Sequence, residues 1–66
     1  MIMRRRSIEK SKIVMDNILR SYLSDGYILK SITERKSKFI VQMENKNHYV
    51  IIEVYKYYAM QTTEVY

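Results

Sequence analysis

The chain has no cysteine, no proline, no tryptophan and a single glycine. Without cysteine it forms no disulfide and no thiolate zinc site, and one histidine, His48, is too few for a closed zinc site built on imidazole. We therefore expect no metal and no other cofactor. Because glycine and proline mark most turns, their scarcity also leaves few local signals for where strands end.

Long apolar runs are missing as well. Behind the basic N-terminus only Ile13, Val14 and Met15 are contiguous apolar residues before Asp16, which is too short for a signal peptide or a membrane span. We expect a soluble, cytoplasmic protein with no membrane partner. The abundance of Ile, Lys, Tyr and Met suggests a low-GC genome, which fits a bacterium, a phage or another virus acting in its host's cytoplasm.

Motifs for catalysis are absent too. No phosphate-loop, dinucleotide or calcium-loop spacing occurs, and the seven carboxylates are scattered along the chain. His48 falls in a predicted hairpin tip, where a solvated histidine is the ordinary case. The sequence therefore predicts a non-enzymatic binding protein with no catalytic residues.

The 66 residues, 47% hydrophobic and 29% charged, predict one small globular domain. We divide it into a basic arm (1–6), a helix (7–24), a β-meander (27–58) and a tail (59–66). A core this small supplies roughly 3–5 kcal/mol and usually needs a disulfide, a metal or a second chain. With the first two excluded, we expect a homodimer.

The region 7–24 has apolar residues at helical spacing, Ser7 as a candidate N-cap, Glu9 in the first turn and Gly26 as the stop signal. Further on, a hairpin tip at Lys46-Asn47 aligns the apolar positions of two strands. The opposed pairs are Met43–Val50, Val41–Ile52 and Phe39–Val54, all on one face. We expect Asn at this tip to favour a positive φ.

Two segments leave alternatives open. In the first strand, about 27–34, either Ile28 and Ile32 face the core, with Lys30 as the misfit, or Tyr27 and Leu29 do. The tail, without a turn residue, either overshoots the sheet, bends into a helical turn or forms a short strand at Thr62–Tyr66. The fold prediction is α+β, with one helix followed by a three-stranded antiparallel meander (α-β-β-β).

Basic residues concentrate in two places, in a chain of net charge +5. Phosphate neutralisation by an arm and a hairpin tip is a common way to approach DNA. We therefore predict a DNA-binding or other nucleic-acid-binding regulator. Its predicted contacts are Arg4, Arg5, Arg6, Arg35, Lys36 and Lys38.

Tyrosines give the second hypothesis. In the predicted register they lie with Ile51 on the outward face of the last meander strand, where nothing in the chain covers them. Tyrosine buries a large area and keeps a hydrogen-bonding tip, which is typical of protein interfaces. The alternative function is an inhibitor or adaptor that blocks a larger protein target. Its predicted contacts are Tyr49, Ile51, Tyr55 and Tyr57.

Overall fold

A computed structural model describes residues 7–66. One helix, α1 (Ile8–Ser24), precedes four strands: β1 (Ile28–Glu34), β2 (Lys38–Asn45), β3 (His48–Tyr55) and β4 (Gln61–Val65). The strands form one antiparallel sheet in the order β1-β2-β3-β4. The predicted α+β class is confirmed, but the sheet has four strands rather than three. No helix within residues 7–66 is long and apolar enough to cross a membrane.

The two ends of α1 follow from local sequence. The Ser7 hydroxyl accepts a hydrogen bond from the Lys10 backbone N–H at 3.3 Å, as an N-cap does. At the other end Gly26 adopts φ +87°, and the Gly26 and Tyr27 N–H groups bond back to Leu23 and Tyr22. The Tyr22 and Tyr27 rings pack edge to face, 5.0 Å apart, and close this cap.

The β2–β3 hairpin has the predicted register, with Met43 opposite Val50, Val41 opposite Ile52 and Phe39 opposite Val54. Asn45 pairs with His48, so the loop is the two residues Lys46-Asn47. The expected positive φ is not found, since Gly26 alone among residues 7–66 has one. The inner face of the sheet, meaning the face that packs against α1, carries the core. That core comprises Phe39, Val41, Met43, Val50, Ile52 and Val54.

Strand β1 takes one inward residue from each of the two predicted alternatives, Leu29 from one and Ile32 from the other. A bulge between Leu29 and Ser31 inserts Lys30, so Leu29 lies opposite Met43 and Ile32 lies opposite Val41. Both apolar residues therefore face inward although they are three positions apart. Strict alternation along this strand, which each prediction assumed, is wrong at the bulge.

The tail forms a further strand, β4, which pairs with β3 from Val54↔Gln61 to Val50↔Val65. Of the three predicted alternatives the short strand is therefore confirmed, shifted by one residue. Strand β3 ends at Tyr55, and the chain turns through residues 56–60. The prediction that Tyr57 continues the outward row of β3 is wrong, because Tyr57 lies in this connection.

The connection at 56–60 contains no glycine or proline. It is held instead by contacts among Ser11, Glu34, Ser37 and Lys56, which we call the polar junction. The fully buried Ser11 hydroxyl lies 2.8 Å from the Tyr55 carbonyl oxygen and 2.7 Å from that of Lys56. The Lys56 N–H donates to the Ser37 carbonyl at 2.9 Å. The nearly buried Lys56 ammonium lies 2.6 Å from a Glu34 carboxylate oxygen and 5.1 Å from the Phe39 ring centre. Helix, first hairpin and the β3–β4 connection therefore meet at one end of the molecule.

We expect Ser11→Ala to lower the free energy of unfolding by about 1–3 kcal/mol, because it removes the buried donor shared by two carbonyl oxygens. Urea unfolding followed by circular dichroism measures the change. Ser21→Ala, at an exposed position of the same helix, is the matched control and should alter stability little. Equal effects of the two substitutions would contradict a structural role for the junction.

Candidate functional site

The polar junction brings together basic residues that are far apart in sequence. Arg35 and Lys36 occupy the exposed β1–β2 turn and have no ion-pair partner among residues 7–66. Ser37, the next residue, accepts the hydrogen bond from Lys56 that ties this turn to the β3–β4 connection. Ser11 ties the first turns of α1 to the same connection.

Two exposed lysines of α1, Lys10 and Lys12, lie in the first turns of the helix and so at this same end. Lys12 is close enough to Glu34 to contribute to the lowered pKa of that carboxyl, although the hydrogen bond from Lys56 is the main cause. We call Lys10, Lys12, Arg35 and Lys36 the basic end. Residues 4–6, the predicted arginine arm, precede Ser7 in the sequence and lie outside the described residues.

Charge at the other end of the sheet has the opposite balance. Three acids lie there, at the C-cap of α1 and near the ends of β2 and β4, against two lysines near the start of β1 and in the β2–β3 loop: Asp25, Glu44 and Glu64 against Lys30 and Lys46. Lys30 pairs with Glu44 at 3.3 Å, which neutralises part of this small set. The molecule is therefore electrostatically polar along its strands, with the positive end at the polar junction.

Lys38 does not extend the basic end in the predicted way. It lies on the outer face of the sheet, opposite Tyr55, with its ammonium 2.7 Å from a Glu53 carboxylate oxygen. This hydrogen bond raises the pKa of Lys38 and lowers that of Glu53, and the Thr62 hydroxyl, 3.1 Å from the other Glu53 oxygen, lowers the latter further. The charge of Lys38 is therefore largely compensated within the chain.

The outer face, opposite α1, carries three of the four predicted interface residues. Tyr49, Ile51 and Tyr55 lie in alternate positions of β3, as predicted, and only Tyr57 is placed elsewhere. Tyr66, which follows β4 directly, covers part of this face, because its ring stacks on that of Tyr49 with centres 4.8 Å apart. The expectation that nothing in the chain covers these tyrosines is therefore wrong at Tyr49.

Other features of the described chain do not form a site. A depression near the β2–β3 loop is lined in part by Gly26, Ile28 and Glu44. It is largely open to solvent, so it would not enclose a substrate. Within residues 7–66 no group of three or more histidine, cysteine or acidic side chains could hold a metal ion. His48 is exposed in the hairpin, as predicted.

Ser11 and Lys56 are the residues that the sequence reading overlooked. Lys56 continues the inward series Val50, Ile52 and Val54, so its parity alone could have marked it as a lysine directed at the core. Ser11 lies in the first turns of α1, on the same helix face as Val14, Met15 and Ile18, which pack against the core. A small polar residue there signals a buried hydrogen bond, but its acceptors are more than forty positions away in the chain.

Comparisons with known proteins do not assign this chain to a family. No protein-family model matches this chain, and neither the curated proteins nor the solved structures show a significant similarity to it. The class of protein that the structure itself defines is a small α+β protein with one basic end and a tyrosine-bearing outer sheet face.

The Glu34–Lys56 pair predicts a specific response to acid. The pKa of Glu34 is lowered from its ordinary value of 4.5 by the hydrogen bond from Lys56. A carboxyl with a lowered folded-state pKa stabilises the fold above its unfolded pKa, and this contribution is lost as pH falls through the folded value. At neutral pH we therefore expect the wild-type protein to unfold at a higher urea concentration than the Glu34→Gln variant.

That advantage should shrink as the pH is lowered below 4.5 towards the lowered folded-state pKa of Glu34. Both proteins retain the Lys38–Glu53 pair, so its titration cancels in the comparison. A difference between the two midpoints that stays constant across this range would contradict the assigned ionisation of Glu34.

Proposed function

We propose that this protein is a non-enzymatic nucleic-acid-binding protein that contacts the phosphate backbone through the basic end. The observation that carries the proposal is the convergence of two basic segments, the start of α1 and the β1–β2 turn, at the polar junction. Their lysines and arginine are exposed, and none of the four forms an ion pair with an acid among residues 7–66. Concentrated positive charge of this kind attracts a polyanion.

Three further features support a phosphate partner at this end. Residues 4–6 add three arginines directly before Ser7. The N-terminus of α1, which carries the positive end of the helix dipole, lies at the same end as Lys10 and Lys12. Asp25, Glu44 and Glu64 lie towards the far end of the sheet, and of the two acids near the basic end, Glu34 is paired with Lys56 while Glu9 in the first turn of α1 offsets part of the positive charge.

Arginine and lysine contacts to phosphates position a protein on nucleic acid but read no sequence. The proposed binding is therefore dominated by electrostatics, with weak sequence preference and steep salt dependence. A regulatory role in the cytoplasm of a cell or an infected host would follow from occupancy of the nucleic acid.

We expect Arg35→Ala with Lys36→Ala to weaken binding to both duplex and single-stranded DNA, whatever the sequence. The slope of log affinity against log salt should fall by about one for each phosphate contact removed. Fluorescence anisotropy over a salt series measures both quantities. Lys46→Ala, an exposed lysine in the other hairpin loop, is the matched control and should change the slope little. Absence of any DNA or RNA binding by wild type at low salt would refute the proposal.

A second function, binding of a larger protein target, has its own supporting observation. The cations of the outer face are already paired, Lys38 with Glu53 and Lys30 with Glu44, so this face offers phosphates little attraction. It does offer Tyr55 and Ile51, which are half-buried, and Tyr49, which is 37% exposed. Such a mixture of aromatic, aliphatic and internally paired groups suits a protein surface, as an inhibitor or adaptor would require.

Under this second function, Tyr55→Ala should abolish retention of a host protein from nuclease-treated extract, since central tyrosines commonly dominate interface energies. Tyr58→Ala, which removes a more exposed ring from the β3–β4 connection, is the matched control. The Arg35→Ala and Lys36→Ala protein should retain the target. Loss of the target with the charge variant but not with Tyr55→Ala would exclude the outer face.

A further inference from the structure

Strand β4 forms an edge of the sheet whose one charged residue is Glu64. Its five residues, Gln61–Val65, are all exposed, contain no lysine, arginine or proline, and pair with β3 without a bulge. The opposite edge, β1, carries both a bulge and Lys30. Bulges and lysines are common means of preventing edge-to-edge pairing, so the two edges of this sheet are not equivalent.

The backbone groups that β4 leaves open can be identified from its pairing with β3. Tyr66 and Tyr49 exchange both backbone hydrogen bonds, and the Tyr55 N–H donates to the Met60 carbonyl. Because hydrogen-bonded pairs alternate in an antiparallel ladder, Thr62 and Glu64 also bond towards β3. The N–H and C=O groups of Gln61, Thr63 and Val65 therefore point away from the sheet. Among residues 7–66, no strand pairs with them.

We propose that β4 pairs antiparallel with β4 of a second copy of this chain, about a two-fold axis at Thr63. In this register Thr63 exchanges both backbone bonds with Thr63 of the second copy, and Gln61 does so with Val65. Thr62 then lies opposite Glu64, so no like charges oppose each other. Threonine pairs across antiparallel strands are favourable. All five residues of the strand find a partner.

The neighbouring registers are poorer for physical reasons. Centring the pair on Glu64 places two carboxylates directly opposite each other, which is destabilising. Centring it on Thr62 leaves Val65 without a β4 partner although it is 64% exposed. Pairing with a second copy would also add stability to a small core that has no disulfide and, among the described residues, no metal site.

The dimer is a continuous sheet of twice as many strands, with both helices on one face. Its two-fold axis runs perpendicular to the sheet, as it does between any antiparallel neighbours. The two basic ends then lie at opposite ends of the assembly and remain accessible. Self-association through β4 is thus independent of nucleic-acid binding, and either can fail without the other.

Sedimentation equilibrium of the full chain over a concentration series tests the pairing. Wild type should reach twice the 8.1 kDa of one chain. Thr63→Pro removes an outward N–H that β3 does not use, so it should raise the dimer dissociation constant by more than about tenfold. Far-UV circular dichroism checks that the sheet persists.

Charge at Thr63 gives a test that does not depend on proline. Because Thr63 faces its own copy, Thr63→Lys and Thr63→Glu should each shift the protein towards monomer, and an equimolar mixture of the two should restore the dimer. Ser31→Lys, an exposed position on the β1 edge, is the matched control and should leave the dimer intact. A wild-type monomer at every concentration, or charge variants that dimerise alone as well as they do mixed, would overturn the proposal.

Discussion

The Ser11 hydroxyl, held between the carbonyl oxygens of Tyr55 and Lys56, is the contact on which the rest of this structure depends. It joins the first turns of α1 to the end of β3. There the Lys56 N–H bonds to Ser37 and its ammonium to Glu34. A buried lysine requires such partners, since an unpaired charge in a small core costs several kcal/mol. The same contacts turn the chain back, so that β4 adds to the sheet.

This arrangement places the apolar core, the tyrosines and the exposed positive charge on three different parts of the molecule. The apolar residues of β2 and β3 are covered by α1 on the inner face. The outer face holds tyrosines and cations that are already paired with Glu44 and Glu53. Four of the exposed cations that have no ion-pair partner among residues 7–66 lie at the basic end, and Lys46 lies in the loop at the other end. Since the polar junction determines where the helix begins relative to the sheet, it also determines where that positive charge lies.

Much of the central structure follows from local pattern. The β2–β3 register could be predicted because three apolar pairs align in one register and would be lost by a shift of one residue. The helix limits could be predicted because Ser7 and Gly26 act on neighbouring backbone groups. Strand β1 could not be assigned to either face, since a bulge at Lys30 changes the alternation and has no glycine to mark it.

By itself, the sequence determined the α+β class, the helix, the central hairpin and the existence of two basic segments, because each depends on residues close together or on one repeated spacing. Only the tertiary structure decided that the tail returns as β4, that Lys38 is neutralised by Glu53 and that the start of α1 meets the β1–β2 turn. The physical reason is common to all three. Their contacts join residues distant along the chain, so the free energy of forming them depends on the folded arrangement and leaves no local signature.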